Sequence, residues 1–434
     1  MYPRMQQLLL AIVFAFLLFT PISQAQTWLE RMENYKIKPI FSIQSWATFS
    51  HGMEVFDPEN QRYVEVDDRL NFEVRRLRFG AKGQPYPNLR FVLVGAIDFI
   101  GRDVLSAMQG GVSNGNLPVL GIWNAYTIWR VKDGNEGLNV FLGYFPTPFG
   151  RASISSATNA PSFEQAWAQN YVRRHLVGRG PGRTVGLALG GVILNEAMNR
   201  GLHYTLGIYN PNYFSNDGNS AGSQYAPLLA ARTVLYLGDP EQKQYNPGHK
   251  TNYFNKRKGF SLGLAAAYQD ETTLYEGNGG LSVDWLFNWN GWNIDGEWSR
   301  LFRRGQRPVN GALREFTNRS WVGYFRMSHN FMVNDKYILE PAIMVMQFSG
   351  AMDEEGQLDA ADVGAFAGED RMIDIGLNWH LNPGQVKFSL HYVLQSGDSG
   401  NQGDGATFNN YFFRGGVGAV QRGNYVGAEA IFVF

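Results

Sequence analysis

The 434-residue chain has no cysteine. This removes disulfide frameworks, thiolate metal sites and cysteine nucleophiles together. Charge is also scarce, at 18% of residues against about 25% in an ordinary soluble domain. The 38 basic and 38 acidic side chains cancel, which excludes a nucleic-acid binder that relies on bulk basicity. No apolar run in the chain reaches the ~20 residues that a membrane-crossing helix needs. What the chain has in excess is glycine, 50 residues, and aromatic side chains, 14%. With a mean hydropathy of −0.26, this composition suits a β-rich protein whose two faces meet different solvents.

The N-terminus indicates the compartment. Arg4 and the terminal amine precede an apolar stretch from Leu8 to Phe19, too short to span a bilayer. Ser23-Gln24-Ala25 then places small residues at the −3 and −1 positions of a signal-peptidase site, so cleavage is expected after Ala25. The alternative is a signal anchor that stays attached. No cysteine follows the site, which excludes a lipoprotein anchor. The expected division is a signal peptide over 1–25, a short periplasmic segment over 26–36 and a barrel over 37–434.

What recurs after that is alternation. Ile37, Pro39, Phe41, Ile43, Ala47 and Phe49 alternate with Lys38, Ser42, Gln44, Thr48 and Ser50. Val386, Phe388, Leu390, Tyr392 and Leu394 alternate in the same way with Lys387, Ser389, His391 and Gln395. A period of two marks a strand with one apolar and one wet face. About sixteen such segments are expected, near 36–50, 69–83, 89–100, 119–131, 138–145, 183–194, 202–209, 228–237, 259–269, 280–289, 292–301, 318–329, 337–348, 371–381, 386–395 and 417–434. An even number of strands of this length fits an outer-membrane barrel, which must close because lipid satisfies no backbone group.

The connections are unequal in the same sense. Short ones, such as Gln84 to Asn88, Asn290-Gly291 and Asn382 to Gln385, alternate with long ones at 51–68, 101–118, 146–182, 210–227, 302–317, 349–370 and 396–416. Short periplasmic turns and long external loops produce this inequality. Gly238 to Lys258 breaks it, and is expected to be either a misplaced strand or a folded periplasmic insert. Trp285, Trp289, Trp292, Trp298, Trp321 and Trp379 fall near strand ends, where an aromatic girdle meets headgroups. Arg76, Arg78, Arg90, Arg130, Arg326, Asp284, Asp295, Glu297, Glu340, Asp374 and Lys387 all fall on the phase away from lipid. A soluble β-sandwich would put apolar side chains there instead.

Several segments, in order, resemble the phosphate-selective porin O and P family. They are Arg75-Arg76-Leu77-Arg78-Phe79-Gly80-Ala81-Lys82-Gly83, Asn124-Ala125-Tyr126 through Arg130, and Gly143-Tyr144-Phe145-Pro146-Thr147-Pro148-Phe149-Gly150. Gly182 to Gly186, Tyr204 to Asn210, Asn378 to Pro383, His391-Tyr392-Val393 and the terminal Phe434 continue the likeness. The resemblance implies an all-β fold: a 16-stranded antiparallel transmembrane β-barrel with short periplasmic turns, long extracellular loops and an inward-folded constriction loop. It also implies a homotrimer in the bacterial outer membrane. Pro146 and Thr184 stand where the family often carries a basic and an acidic residue, so phosphate selectivity is not implied.

The longest loop, 146–182, is the candidate constriction. Arg151, Arg173, Arg174, Arg179 and Arg183, with His175, face a single acid, Glu164. Guanidinium groups around a narrow low-dielectric passage favour anions. The blander alternative pairs them with lumenal carboxylates or lipopolysaccharide phosphates. Arg76, Arg78 and Lys82 share one strand face and, with Arg326, are candidates for a basic pore wall. Pairing of the first three with Asp98, Asp284, Asp295 or Glu297 is the competing expectation. The stretch 302–317, with Arg303, Arg304, Arg307 and Arg314, is expected to form a basic vestibule or a solvated loop holding lipid phosphates.

Loop 349–370 carries Asp353, Glu354, Glu355, Asp359, Asp362, Glu369 and Asp370 without the order of an EF-hand, and is expected to be a solvated acidic loop. Gly397-Asp398-Ser399-Gly400 has the look of a serine nucleophile motif, but turn chemistry explains it. The seven histidines lack metal-ligand spacing, so no metal or other cofactor is expected. The expected function is passive diffusion of small hydrophilic solutes with a modest anion preference, without enzymatic chemistry. Expected partners are those solutes, outer-membrane lipid and lipopolysaccharide, with no nucleic acid. The competing expectation is a non-conducting barrel acting as an interaction or surface-binding module.

Overall fold

The computed structural model describes residues 32–60, 62–103, 105, 119–178, 182–210, 222–400, 413–414 and 418–434. The signal segment and Arg179 lie outside the described residues. Alternation produces a wall of sixteen strands. The first eight are β1 (Lys38–His51), β2 (Arg69–Tyr86), β3 (Leu89–Ile100), β4 (Gly121–Lys132), β5 (Asn135–Pro146), β6 (Arg183–Asn195), β7 (Arg200–Tyr209) and β8 (Leu228–Gly238). The rest are β9 (Gly259–Gln269), β10 (Gly277–Trp289), β11 (Trp292–Val309), β12 (Ala312–His329), β13 (Tyr337–Ser349), β14 (Glu369–Asn382), β15 (Val386–Asp398) and β16 (Asn424–Val433). Each strand pairs antiparallel with its sequence neighbours.

The sheet closes where β1 meets β16, in register from Ser42↔Val433 to His51↔Asn424. The Phe434 N–H continues this ladder, donating to the Phe41 carbonyl at 2.8 Å. No sheet edge is left in the wall, as a lipid environment demands.

The barrel is apolar outside and polar inside. On β1, Phe41 and Phe49 point outward and are exposed, while Ser42, Gln44, Thr48 and Ser50 are buried inside. On β14, Ile373, Ile375 and Leu377 point outward and Asp370, Asp374 and Asn378 inward. The charged residues expected on the phase away from lipid all lie inside; Arg90 and Arg130 are half-buried and the others buried. Trp289 and Trp292 flank the Asn290-Gly291 turn, whose residues both take positive φ (45° and 91°) as a type I′ hairpin requires.

Two expectations about connections need correction, and one open alternative is decided. The stretch 302–317 is not a loop: β11 and β12 continue through it to a second tight turn at Asn310-Gly311, with φ of 51° and 83°. Loops 51–68 and 396–416 contribute Met53–Asp57, Arg62–Val66 and Phe413–Arg414 to a small external sheet, and Gly418–Gln421, expected as the start of the last barrel strand, joins it. Above the bilayer both strand faces are wet, so the period-two signal fades although the backbone stays extended. Finally, residues 239–258 form an insert rather than a strand, and this insert folds back into the barrel.

The acidic loop is not merely solvated. It holds helix α3 (Glu354–Asp362), capped by Asp353, whose carboxylate accepts the Gly356 N–H at 2.8 Å. Arg314 bonds Asp359 and lies 3.3 Å from Glu355, while Arg307 lies 3.5 Å from Asp359. Arginines expected to form an open vestibule are thus partly neutralised by the acidic loop. Gly400 N–H donates to the Asp398 carboxylate at 2.8 Å, an Asx turn at the serine-like motif.

Candidate functional site

The lumen is narrowed from both ends. From the long-loop end, residues 147–178 cross to the far wall and return. Gly150, at φ 70°, opens a short helix α1 (Arg151–Ile154), and the Ala152 N–H donates to Glu297 on β11 at 2.8 Å. The chain then reaches β12, β14 and β15. The Ser162 hydroxyl accepts from Arg326 at 2.8 Å, the Phe163 N–H donates to Asp374 at 2.8 Å, and the Ala160 carbonyl accepts from Lys387 at 3.1 Å. The Phe163 ring stacks on Trp46 of β1 with centroids 4.5 Å apart. Helix α2 (Ala168–Val177) leads back, its Tyr171 stacked on Phe348 and donating to Asp370 at 2.6 Å. Gly178, in the left-handed region, ends it.

From the short-turn end, the 239–258 insert rises to meet this loop. Tyr245 fills the space above Gly190, where a Cβ would stand 2.2 Å from its ring. Asn252 donates to Glu340 at 2.7 Å, and the His249 N–H donates to the Ile154 carbonyl at 3.2 Å.

Loop and insert meet in a charge network. Arg151, fully buried, lies 2.8 Å from Glu241 of the insert and 3.1 Å from Asp284 of β10. Arg232 of β8 also bonds Asp284, at 2.7 Å. The Arg232 guanidinium can only donate, so it donates to His249 Nε2 (3.3 Å), while Nδ1–H donates to Glu241 (3.0 Å). That arrangement requires a neutral imidazole, and burial accordingly lowers the His249 pKa. For Glu241, burial acts to raise the pKa, but Arg151 and His249 outweigh it and hold the group well below the usual carboxylate range.

A second network holds the loop to β2. Arg75 and Arg76 both reach Glu164, at 2.7 and 2.5 Å. Adjacent residues on a regular strand face opposite ways; a β-bulge opposite Gln44 and Ser45 brings both inside. Burial favours the neutral Glu164, but the two guanidinium groups prevail and its pKa falls to about 2. Arg78 pairs with Asp98, and Arg326 with Asp295 at 2.7 Å. The Trp123 ring has Arg78 at 4.1 Å and Arg183 at 3.4 Å from its centroid. Arg183 also donates to Asn124 at 3.1 Å, and Arg173 to the Ser153 carbonyl at 2.5 Å.

Sequence reasoning did not find Glu241, Asp284 and Arg232 as one cluster, because they lie on three separate elements. Arg75 was hidden by its parity. The adjacent Arg75-Arg76 pair was the available signal for a bulge.

Lumen-facing residues that keep contact with solvent concentrate on one side, along β2 to β6. Lys82 is exposed there, and Arg90, Trp123, Asn124, Tyr126, Arg130, Gly143 and Gly186 are half-buried. Arg174, on α2, is also half-buried. Glu136 is the acid of this strip, 2.8 Å from Arg130 and 3.5 Å from Arg90.

The fold is that of solved porins. OprB of Pseudomonas putida aligns over 95% of this chain and 97% of its own, with a TM-score of 0.56 at 10% identity. A loop-deletion mutant of the Vibrio cholerae outer-membrane protein OmpT aligns over 92% of this chain and 99% of its own, with a TM-score of 0.46 at 8% identity. No curated protein matches the chain in sequence. The family described as phosphate-selective porin O and P matches residues 50–282, more than half of the chain. With a closed barrel, an inverted polarity and this match, the chain belongs to the phosphate-selective porin O and P family and is a porin of the bacterial outer membrane.

Proposed function

We propose that the protein passes small hydrophilic solutes along the β2–β6 side of its lumen, with a modest preference for anions. The observation that carries this is the solvent-contacting strip: Lys82, Arg90, Arg130 and Arg174 against Glu136. Charges on low-dielectric walls focus the field into the narrow water path, so a surplus of cations raises the local concentration of anions. Arg173 and Arg183 stand beside the strip at the loop; Arg76, Arg78 and Arg326 are committed to Glu164, Asp98 and Asp295 and fix the wall. Arg151 holds the loop to the insert. Passage is diffusion, with no bond made or broken. The protein works as a homotrimer, delivered by its signal peptide and surrounded by lipid and lipopolysaccharide.

The test is a reversal potential across a planar bilayer under a KCl gradient. Arg173→Glu/Arg174→Glu should shift it toward cations. A wild-type potential already favouring K⁺ refutes the anion preference.

One observation favours a second reading, a non-conducting barrel used as an interaction module. Apart from Arg307 and Arg314 at the outer rim, the inward charges of β10 to β16 are buried, under loop and insert. Absence of any conductance steps from purified, folded protein would select it.

A further inference from the structure

Among the described residues, the outer wall carries polar and charged side chains beside a groove on β10 to β15. Two adjacent outward rows of cross-strand partners run around it. The upper row is Trp298, Gly323, Gln347, Arg371 and Ser396, each in register with the next. The lower row is Gly296, Phe325, Val345, Ile373 and Leu394. Because Gly323 has no side chain between Trp298 and Gln347, the wall is notched. A groove of about 800 Å³ results, floored by Phe325, Val345, Ile373 and Leu394 and topped by Gln347 and Arg371.

Above the groove stand two more cations. Arg300 is in register with Trp321, and Arg319 precedes Trp321 by two residues on the same outward face. Both are exposed, and neither has a hydrogen bond or ion pair with another described residue. Diagonal neighbours on paired strands lie only ~7–8 Å apart, so these like charges repel unless an anion sits between them. Arg371 is 3.0 Å from Glu369, which leaves the pair at Arg300 and Arg319 as the uncompensated charge. The order from the long-loop end inward is therefore cation, polar row, apolar floor.

We propose that this groove is a binding site for a phosphorylated acyl lipid of the outer leaflet. Its phosphate would bridge Arg300 and Arg319, its polar linkage would meet Gln347 and Arg371, and its chains would lie on Phe325, Val345, Ile373 and Leu394. A free phosphate would use the arginines but leave the apolar floor without a role. A second copy of this chain could neutralise the arginines only with Glu369 or Asp398, the outward carboxylates level with Trp321, and Glu369 is already 3.0 Å from Arg371.

The experiment is native mass spectrometry of the full-length protein extracted in a mild non-ionic detergent, with lipid A added as probe. The wild type should carry a lipid A adduct. Arg300→Glu/Arg319→Glu should reduce it by about tenfold, a loss equal to ~1.4 kcal/mol. Val345→Trp, which fills the groove and leaves both arginines, should also lose the adduct. Unchanged single-channel conductance and heat-modifiable gel mobility show that both variants are folded barrels. The proposal is overturned if the wild type takes up no lipid A, or if the double variant keeps it. It is overturned equally if millimolar inorganic phosphate displaces it fully, or if Val345→Trp keeps the lipid and instead dissociates oligomers.

Discussion

Replacing Glu241 with alanine should open the lumen from its periplasmic side. In the intact network Arg151 and Arg232 are balanced by Glu241 and Asp284, all four buried, with His249 neutral between them. Removing one carboxylate leaves a net positive charge there with no water to solvate it. Breaking a buried pair in this way costs about 3–5 kcal/mol. Since the insert can leave the lumen while the wall stays closed, that penalty falls on docking rather than on the barrel. At 1.4 kcal/mol per factor of ten, the docked-to-undocked ratio drops by roughly two to four orders of magnitude. Planar-bilayer recordings should then show a larger, noisier unit conductance, and the 239–258 segment should become cleavable by protease added from the periplasmic side. Arg151→Ala should do likewise, because it breaks the same contact from the loop side. Unchanged conductance together with unchanged protease resistance in both variants would refute the idea that this ion pair holds the two plugs together.

Other expectations follow from the same contacts. Gly190→Val places a side chain where Tyr245 now lies, so the insert should be displaced at a cost of about 1–3 kcal/mol, read as the same conductance increase. The Glu164 pKa is depressed to about 2, so its contribution is fully present above the unfolded carboxylate value and is lost progressively as pH falls from there through about 2. Protease access to the 147–178 loop should therefore show no rise between pH 7 and pH 4, whereas in Glu164→Gln it should already be raised at pH 7. The His249 pKa is also depressed, so docking of the insert is strongest above the ordinary histidine value and weakens as pH falls below it. Arg151, Arg232, Glu241 and His203 all face this ring. Protease access to the insert should rise between pH 7 and pH 5 in the wild type and lose that dependence in His249→Asn.

The wall was legible in the sequence wherever one strand face meets lipid and the other water. Ile373 and Leu377 against Asp374 and Asn378 leave no other assignment for β14, and alternate turn lengths gave the orientation. The same rule explains the failures. Arg303 to Arg314 lies above the bilayer, where neither face is forced to be apolar, and only Asn310-Gly311 betrayed the hairpin. Within the site, residue types were legible and partners were not. Arg151 was marked by its charge in a long loop, but Glu241 and Asp284 come from elements far away in sequence. Parity places Arg75 on the lipid side, and only the bulge turns it inward. The match of arginine with carboxylate across the lumen is a property of the closed barrel, and no local window contains it.

The pairing of β1 with β16 has a consequence for biogenesis. The two strands are separated by nearly the whole chain, so the seam is the contact with the greatest loop-closure cost and cannot form until the C-terminus has been delivered. Until then β1 and β15 each present an unpaired row of N–H and C=O groups, the kind of edge that recruits other chains. A chain ending before Asn424 would keep its loop, its insert and most of its wall, yet would have two sticky margins and no hoop. The final ten-residue strand is thus less a part of the channel than its clasp.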